Sequence, residues 1–362
     1  MPPQNQRAPQ GPAPTAHLPM SAPSRPAPPR PGGPPPAPIR RRRRPGRVLG
    51  VLLAVLLLLV VGFALYVDQS LNRVAALTDY PGRIADTPGT NWLIVGSDSR
   101  AGLTSDQESQ LSTGDVAGAS GQRTDTIMLL HIPALGGSGK PTLVSLPRDS
   151  AVPIPGQGRN KINAAYSLGG PALLVQTVET VTGVHVDHYA EIGFGGFAGI
   201  VDAIGGVQLC PTDPIDDPLA GLNIAAGCQQ FDGPKALGYV RTRHTPRGDL
   251  DRVAHQREFL GALIAKAASP ATLLNPFRFV PLATSVPKAI TVDDADHVWH
   301  LARLGWTMRS LSGGDAVTTT VPIAGFGTVG GSSAVLWNRN RAADLFSALA
   351  EDRPVPADAL GP

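Results

Sequence analysis

The sequence predicts one three-layer α/β/α domain with a central mixed sheet, set behind a single N-terminal transmembrane helix. Three observations predict it. Residues 48–67 are 20 consecutive positions without a charge, which at ~1.5 Å per residue suffices to cross a hydrocarbon core of ~30 Å. Downstream, short apolar runs bounded by chain breakers read as strands at 92–95, 126–132, 142–146, 207–210 and 317–321. Helical periodicity runs over 172–181, 197–204, 251–268, 294–311 and 341–349. Strands interleaved with helices indicate a sheet held between helical layers.

The flanks of the apolar segment give it a direction. Residues 1–47 carry nine arginines, five of them consecutive from Arg40 to Arg44, and no acidic residue, whereas Asp68 follows the segment directly. The positive-inside bias keeps residues 1–47 in the cytoplasm and the rest outside. A cleaved signal peptide is the competing reading, but its apolar core is shorter, ~7–15 residues, and ends in a small-x-small site. Sixteen of the 37 prolines also lie in 1–47, so this part reads as a disordered tail unable to bury enough apolar surface to offset chain entropy. Residues 68–90 read as a stalk, 91–350 as the extracytoplasmic domain and 351–362, with three prolines, as a flexible tail.

Charge excludes one class of function. The whole chain is at +3, but outside residues 1–47 there remain 22 basic and 28 acidic residues, so the domain itself is acidic and offers no nucleic-acid footprint. Cys210 and Cys228 both lie on the outer side, where a disulfide can persist; the alternative is two unpaired small core residues.

Acid and base recur at strand ends, where α/β sheets place their ligands. The run 92–95 exits into Gly96-Ser97-Asp98-Ser99-Arg100, a second strand is entered through Arg123-Thr124-Asp125-Thr126, and a third exits into Pro147-Arg148-Asp149. Further on come Lys161-Ile162-Asn163-Ala164-Ala165-Tyr166, Tyr239-Val240-Arg241-Thr242-Arg243 and Gly248-Asp249-Leu250-Asp251-Arg252, with His255-Gln256. If 239–243 is extended, Arg241 and Arg243 share a face; on the following helix Arg252 and Gln256 are i,i+4 neighbours. Tyr166 and Tyr239 read as packing residues. A phosphate loop is not intended at Gly139-Lys140, because Pro141 stands where the hydroxyl residue belongs. His185 and His188 have no further zinc ligand at the required spacing.

These segments, in this order behind one membrane helix, resemble the LytR-CpsA-Psr family over roughly residues 90–310. The likeness is carried by strand-GSDSR, R-T-D-T, S-L-P-R-D, K-I-N-A-A-Y, D-H-Y, Gly205-Gly206-Val207, Y-V-R-T-R and G-D-x-x-R together. One departure is His255, where the family's R-x-x-R-Q pattern has arginine.

The resemblance implies a phosphotransferase that moves a glycopolymer from a polyprenyl pyrophosphate carrier onto peptidoglycan, at the cell membrane. It implies Mg²⁺, with Mn²⁺ as a substitute, on Asp98 and Asp125. Arg148, Arg241, Arg243 and Arg252 would then clamp the pyrophosphate, and Arg123, Lys161, Asn163, Asp249 and Gln256 would complete substrate binding. A hard cation with planar guanidinium forks is the usual means of spreading phosphoryl charge. The apolar segments 171–181 and 194–204 are candidates for the wall of a lipid groove or, equally, ordinary core helices. A polyprenyl-pyrophosphate hydrolase would use the same residues, and a non-catalytic wall-precursor sensor is a third reading. The Pro-, Ala-, Gly- and Arg-rich composition is that of a high-GC actinobacterium, making arabinogalactan one candidate polymer beside capsule or teichoic-type chains.

Overall fold

The computed structural model describes Gly32 and residues 45–98, 103–111, 124–245, 249–313 and 315–361. The expected tail, apart from Gly32 and 45–47, lies outside these residues. By its contacts the chain divides into residues 1–53 and 54–362. Helix α1 (Pro45–Gln69) is apolar from Leu49 onward and long enough to cross a membrane.

Seven strands form the central sheet: β1 (Asn72–Val74), β2 (Thr90–Ser97), β3 (Thr124–Ile132), β4 (Thr142–Ser145), β7 (His188–Ile192), β12 (Ile290–Asp293) and β13 (Val317–Thr320). Their order is β1-β12-β7-β2-β3-β4-β13. The sheet is mixed: β2 runs parallel to β7 and antiparallel to β3, and β3 antiparallel to β4. Side chains alternate across it as a pleat demands. Leu93, Val95, Ile127 and Leu129 point to a core shared with α3 (Ile162–Thr182) and α10 (Arg339–Ala350). Trp92, Ile94, Met128 and Leu130 meet the opposite layer, α4 (Phe194–Ala203), α6 (Asp249–Ala267), α8 (Pro276–Ala289) and α9 (Val298–Gly313). Burial on both faces explains why these strands read as near-continuous apolar runs.

The remaining pieces are short: α2 (Ser105–Gln110), the hairpin of β5 (Ala151–Ile154) and β6 (Gly158–Lys161), β8 (Val207–Leu209) paired with β11 (Gln229–Phe231), and β9 (Ile215–Asp217) with β10 (Leu222–Ile224). Helices α5 (Gly233–Arg241) and α7 (Pro270–Leu273) and the hairpin β14 (Ile323–Val329) with β15 (Ser332–Trp337) complete the fold. Within α3 the chain kinks at Gly169-Gly170-Pro171. Gly170 sits at φ 66°, which L side chains avoid, and Pro171 cannot donate to the previous turn. The helix therefore starts a full segment earlier than the periodicity beyond the kink indicates.

Three expectations are corrected. Residues 68–90 are not a free stalk: β1 pairs in parallel with β12, Asp293 Oδ1 accepts from Ala76 N at 2.9 Å and Leu77 N at 2.7 Å, and Tyr80 and Arg83 bind Glu179. The 351–361 segment is docked as well. Ala359 is buried, Gly361 N donates to Thr319 Oγ1 at 2.8 Å, and Asp352 Oδ1 lies 3.1 Å from His131 Nε2. Prolines there limit regular structure without preventing packing. Lastly, 239–241 is helical rather than extended, because Asp232 caps α5 by accepting from Lys235 N and Pro234 occupies its first turn.

Cys210 and Cys228 are bridged, closing β8 to the strand-entry turn of β11 over a separation of 18 residues. In the chain-entropy account such a loop contributes ~3 kcal/mol. Replacing both cysteines by serine should lower the unfolding free energy by about that amount, read from chemical denaturation of the full chain in detergent. An unchanged denaturation midpoint would show that the bridge adds nothing.

Candidate functional site

Because β3 runs antiparallel to both neighbours, the end of β2, the start of β3 and the end of β4 meet at one edge of the sheet. Asp98, Asp125 and Arg148-Asp149 are thereby gathered from three segments. Gly96 pairs with Thr126 but Ser97 with Thr124, so Asp125 is an extra residue with no partner opposite. Such a bulge bends the strand and re-aims the side chain. Asp125 Oδ1 is ion-paired to Arg148 Nη1. Arg148 Nε stands 3.5 Å from Asp149 Oδ2, and Asp149 Oδ1 is 2.9 Å from Lys161 Nζ. With Asp125 35% and Arg148 24% exposed, their pair is worth no more than about 1 kcal/mol to the fold.

Two cavities flank this charge ladder. The first, about 250 Å³, is apolar: Ile94 and Met128 floor it, and Phe197, Phe259, Leu263 and Met308 wall it. Gly196 permits the wall, since a Cβ there would sit 2.2 Å from Ala289 O, so α4 and α8 approach backbone to backbone. Asp125, Arg241, Arg243, Arg252 and Gln256 also line it. Arg241 stacks over the Phe194 ring at 4.7 Å and donates to Leu111 O at 3.1 Å. Gln256 donates to Val240 O at 3.2 Å, tying α6 to α5. The second cavity, about 420 Å³, is polar, lined by Arg148, Asp149, Asn160, Lys161, Asn163 and Ser167.

Most of the residues singled out from sequence thus assemble, in two groups joined by the Asp125–Arg148 pair. Asp98 lines neither cavity; it lies close enough to Tyr166 to help raise that phenol's pKa, after burial and Glu191. Arg123 and the side chain of Asp249 lie outside the described residues. Of the two candidate lipid walls, the 194–204 segment contributes Phe194 and Phe197, whereas 171–181 packs Leu174, Val175 and Val178 on the other side of the sheet. Arg241 and Arg243 do share the cavity, across the C-cap of α5 rather than along a strand.

Some residues carried no sequence signal. Glu191, buried on β7, is clamped by the hydroxyls of Tyr166 and Tyr189, each at 2.8 Å. Burial first, then Glu191, push both phenols well up, so they act as neutral donors. The walls from α6 and α9 were legible only as periodic helices. His188 meets Asp296 and His300 from more than 100 residues away, with three ligand-type atoms within 4.8 Å, a juxtaposition no local spacing reveals.

The LytR_cpsA_psr family model matches residues 68–350, and the chain belongs to that family. It is 54% identical over 304 residues to the probable cell wall biosynthesis protein LcpB of Corynebacterium glutamicum, covering 84% of this chain and 70% of the relative. It is 30% identical over 243 residues to the polyisoprenyl-teichoic acid–peptidoglycan teichoic acid transferase TagU of Bacillus cereus, covering 63% and 73%. Among solved structures it shares the fold of a LytR-Csp2A-Psr enzyme from Actinomyces oris, at TM-score 0.57 and 24% identity over 77% of this chain and 96% of the other.

His255, the departure from the family pattern, stacks on Tyr239 at 4.1 Å, and its buried Nδ1 has no hydrogen-bond partner among the described residues. Burial lowers its pKa below the ordinary 6.5, against the pull of Asp251 and Glu258. It therefore supplies packing against Tyr239. Between the folded and unfolded pKa values the unfolded chain binds more protons, so this contribution to stability is lost as the pH falls below about 6.5. The melting temperature should drop between pH 7.5 and 5.5, and less so in His255→Gln. Equal drops in both proteins would remove the assignment.

Proposed function

We propose that the protein is a membrane-anchored phosphotransferase that moves a glycopolymer from a polyprenyl pyrophosphate carrier onto peptidoglycan. The observation that carries this reading is an apolar cavity whose lining includes Arg241, Arg243, Arg252 and Asp125. A prenyl chain suits the apolar walls, and guanidinium forks suit pyrophosphate oxygens. The transferase named among its relatives supports the same reaction class. The arginine-rich flank of α1 and the acid after it support a cytoplasmic N-terminus with the domain outside.

Asp125 and Asp98 are the residues that would hold a hard divalent cation. Asp125 presents a partly exposed carboxylate from the bulge, and Asp98 ends the adjacent strand. One or two carboxylates are what Mg²⁺ takes, the rest of its octahedron being water and phosphate oxygen. Such an ion would supply charge neutralisation on the transferring phosphoryl group. The chain's own work is separate. Arg241, held by Phe194 and Leu111, orients one phosphate, Arg243 and Arg252 spread developing charge, and the apolar walls exclude water from the leaving side.

The test is a labelled lipid-linked substrate with and without acceptor peptidoglycan. Transfer should need the acceptor, fall ~10²–10³-fold in Asp98→Ala and Arg243→Lys with the melting temperature preserved, and stop in EDTA until Mg²⁺ or Mn²⁺ is returned. Release of carrier to water alone would mark a hydrolase. Full transfer by both variants would overturn the site, and resistance of the domain to protease on intact cells would overturn the topology.

A further inference from the structure

We infer that the polar cavity beside Arg148 is the acceptor site, binding a wall saccharide whose attacking hydroxyl gives its proton to Asp149. The inference rests on the phosphotransfer reading and deepens it. Phosphoryl transfer places attacking and leaving oxygens roughly in line through phosphorus. In that reading the apolar cavity fixes the leaving side, because the prenyl phosphate departs toward its own tail. The attacking oxygen must then approach from across the charged row. The donor's glycan cannot occupy that position, since it hangs from a third oxygen on the same phosphorus, to the side of the axis.

Across the row lies the polar cavity. Arg148 belongs to both sides: it pairs with Asp125 of the apolar cavity and lines the polar one. At about 420 Å³ the polar cavity falls within the ~300–1,000 Å³ of small-ligand sites. Its lining of Asn160, Lys161, Asn163 and Ser167 offers amide, ammonium and hydroxyl groups matched to sugar hydroxyls and acetamides. The cavity is also built rigidly. Asn163 N donates to Arg148 O at 3.2 Å and Ile162 N to Ser150 O at 2.8 Å, so the start of α3 is locked to the loop that carries Arg148 and Asp149. Lys161 Nζ at 2.9 Å holds the Asp149 carboxylate in place, with the Arg148 guanidinium as a charge neighbour at 3.5 Å.

The step balances. The acceptor oxygen bonds to the glycan-side phosphorus, the P–O bond to the prenyl phosphate breaks, and that phosphate leaves with the bonding electron pair. The hydroxyl proton passes to Asp149 and then to solvent.

Ser167 is exposed on the first segment of α3, so Ser167→Trp fills the cavity without disturbing the core. With the full chain in detergent, this variant should raise the KM for soluble peptidoglycan fragments at least tenfold. The Kd of a prenyl-pyrophosphate-linked saccharide should stay within twofold of wild type. Asp149→Asn should lower kcat ~10²-fold, again with donor Kd held. If donor Kd rises in parallel with KM, the cavity holds the donor's glycan and the inference fails. Unchanged KM in Ser167→Trp also removes it, while leaving the transfer reading intact. A wild type that hydrolyses the donor but transfers nothing defeats both.

Discussion

The antiparallel run of β2, β3 and β4 is the constraint on which the site depends. Their interiors are buried on both faces, and an unpaired charge there would cost several kcal/mol. Charge is therefore confined to strand ends, and antiparallel pairing brings three of those ends to one edge. The bulge at Asp125 adds the one irregularity needed: it frees a side chain from the alternation that would otherwise aim it into one core or the other. Parallel pairing of these strands would have put Asp125 at the opposite edge from Arg148.

What was legible in the sequence follows from this geometry. Strands β2, β3 and β4 are near-continuous apolar runs bounded by Gly, Asp or Pro, and the candidate site residues sit at those boundaries, so motif and element boundary coincide. Arg252 and Gln256 were legible because i,i+4 spacing on a helix is local. The condition that 239–243 be extended is not met over 239–241, because a helix cap nine residues before Arg241, at Asp232, decides its conformation. The β1 segment and the chain end were misread for one reason. Each is short and polar on average, and its order comes from distant partners, among them Asp293 for Ala76 and Leu77, Glu179 for Tyr80 and Arg83, and His131 for Asp352. The two apolar segments 171–181 and 194–204 fall on opposite sides of the sheet because periodicity gives a helix an apolar face without saying which side of the sheet that face meets.

The junction at the end of α1 has the same non-local character. Asp68 Oδ1 accepts from Val298 N at 2.8 Å, and its carboxylate is bound by Arg73 at 3.0 Å and faces His297. Arg73 also donates to Asp296 O, beside His188 and His300. The last turn of the apolar helix is thus tied by a partly buried polar network to the start of α9, whose Leu301 and Leu304 pack in the layer that also holds the cavity-lining residues of α6. A swivelling stalk would leave the cavity free to face any direction, whereas this attachment holds it in a set relation to the end of the helix.

The apolar cavity and the arginines beside it act on each other through the dielectric. Guanidinium groups next to low-dielectric walls attract an anion more strongly than the same groups in water. The Asp125–Arg148 pair and the Arg241–Phe194 stack offset part of the cost of holding cations in that setting. In the proposed reaction, an incoming pyrophosphate would compete with Asp125 for Arg148. The means to do so comes from elsewhere on the ligand, since each prenyl methylene buried contributes ~0.8 kcal/mol. Binding energy from the unreactive tail can in this way be used to rearrange charge at the reacting phosphorus. A short-chain donor would lose turnover as well as affinity, because it would leave Asp125 and Arg148 holding one another.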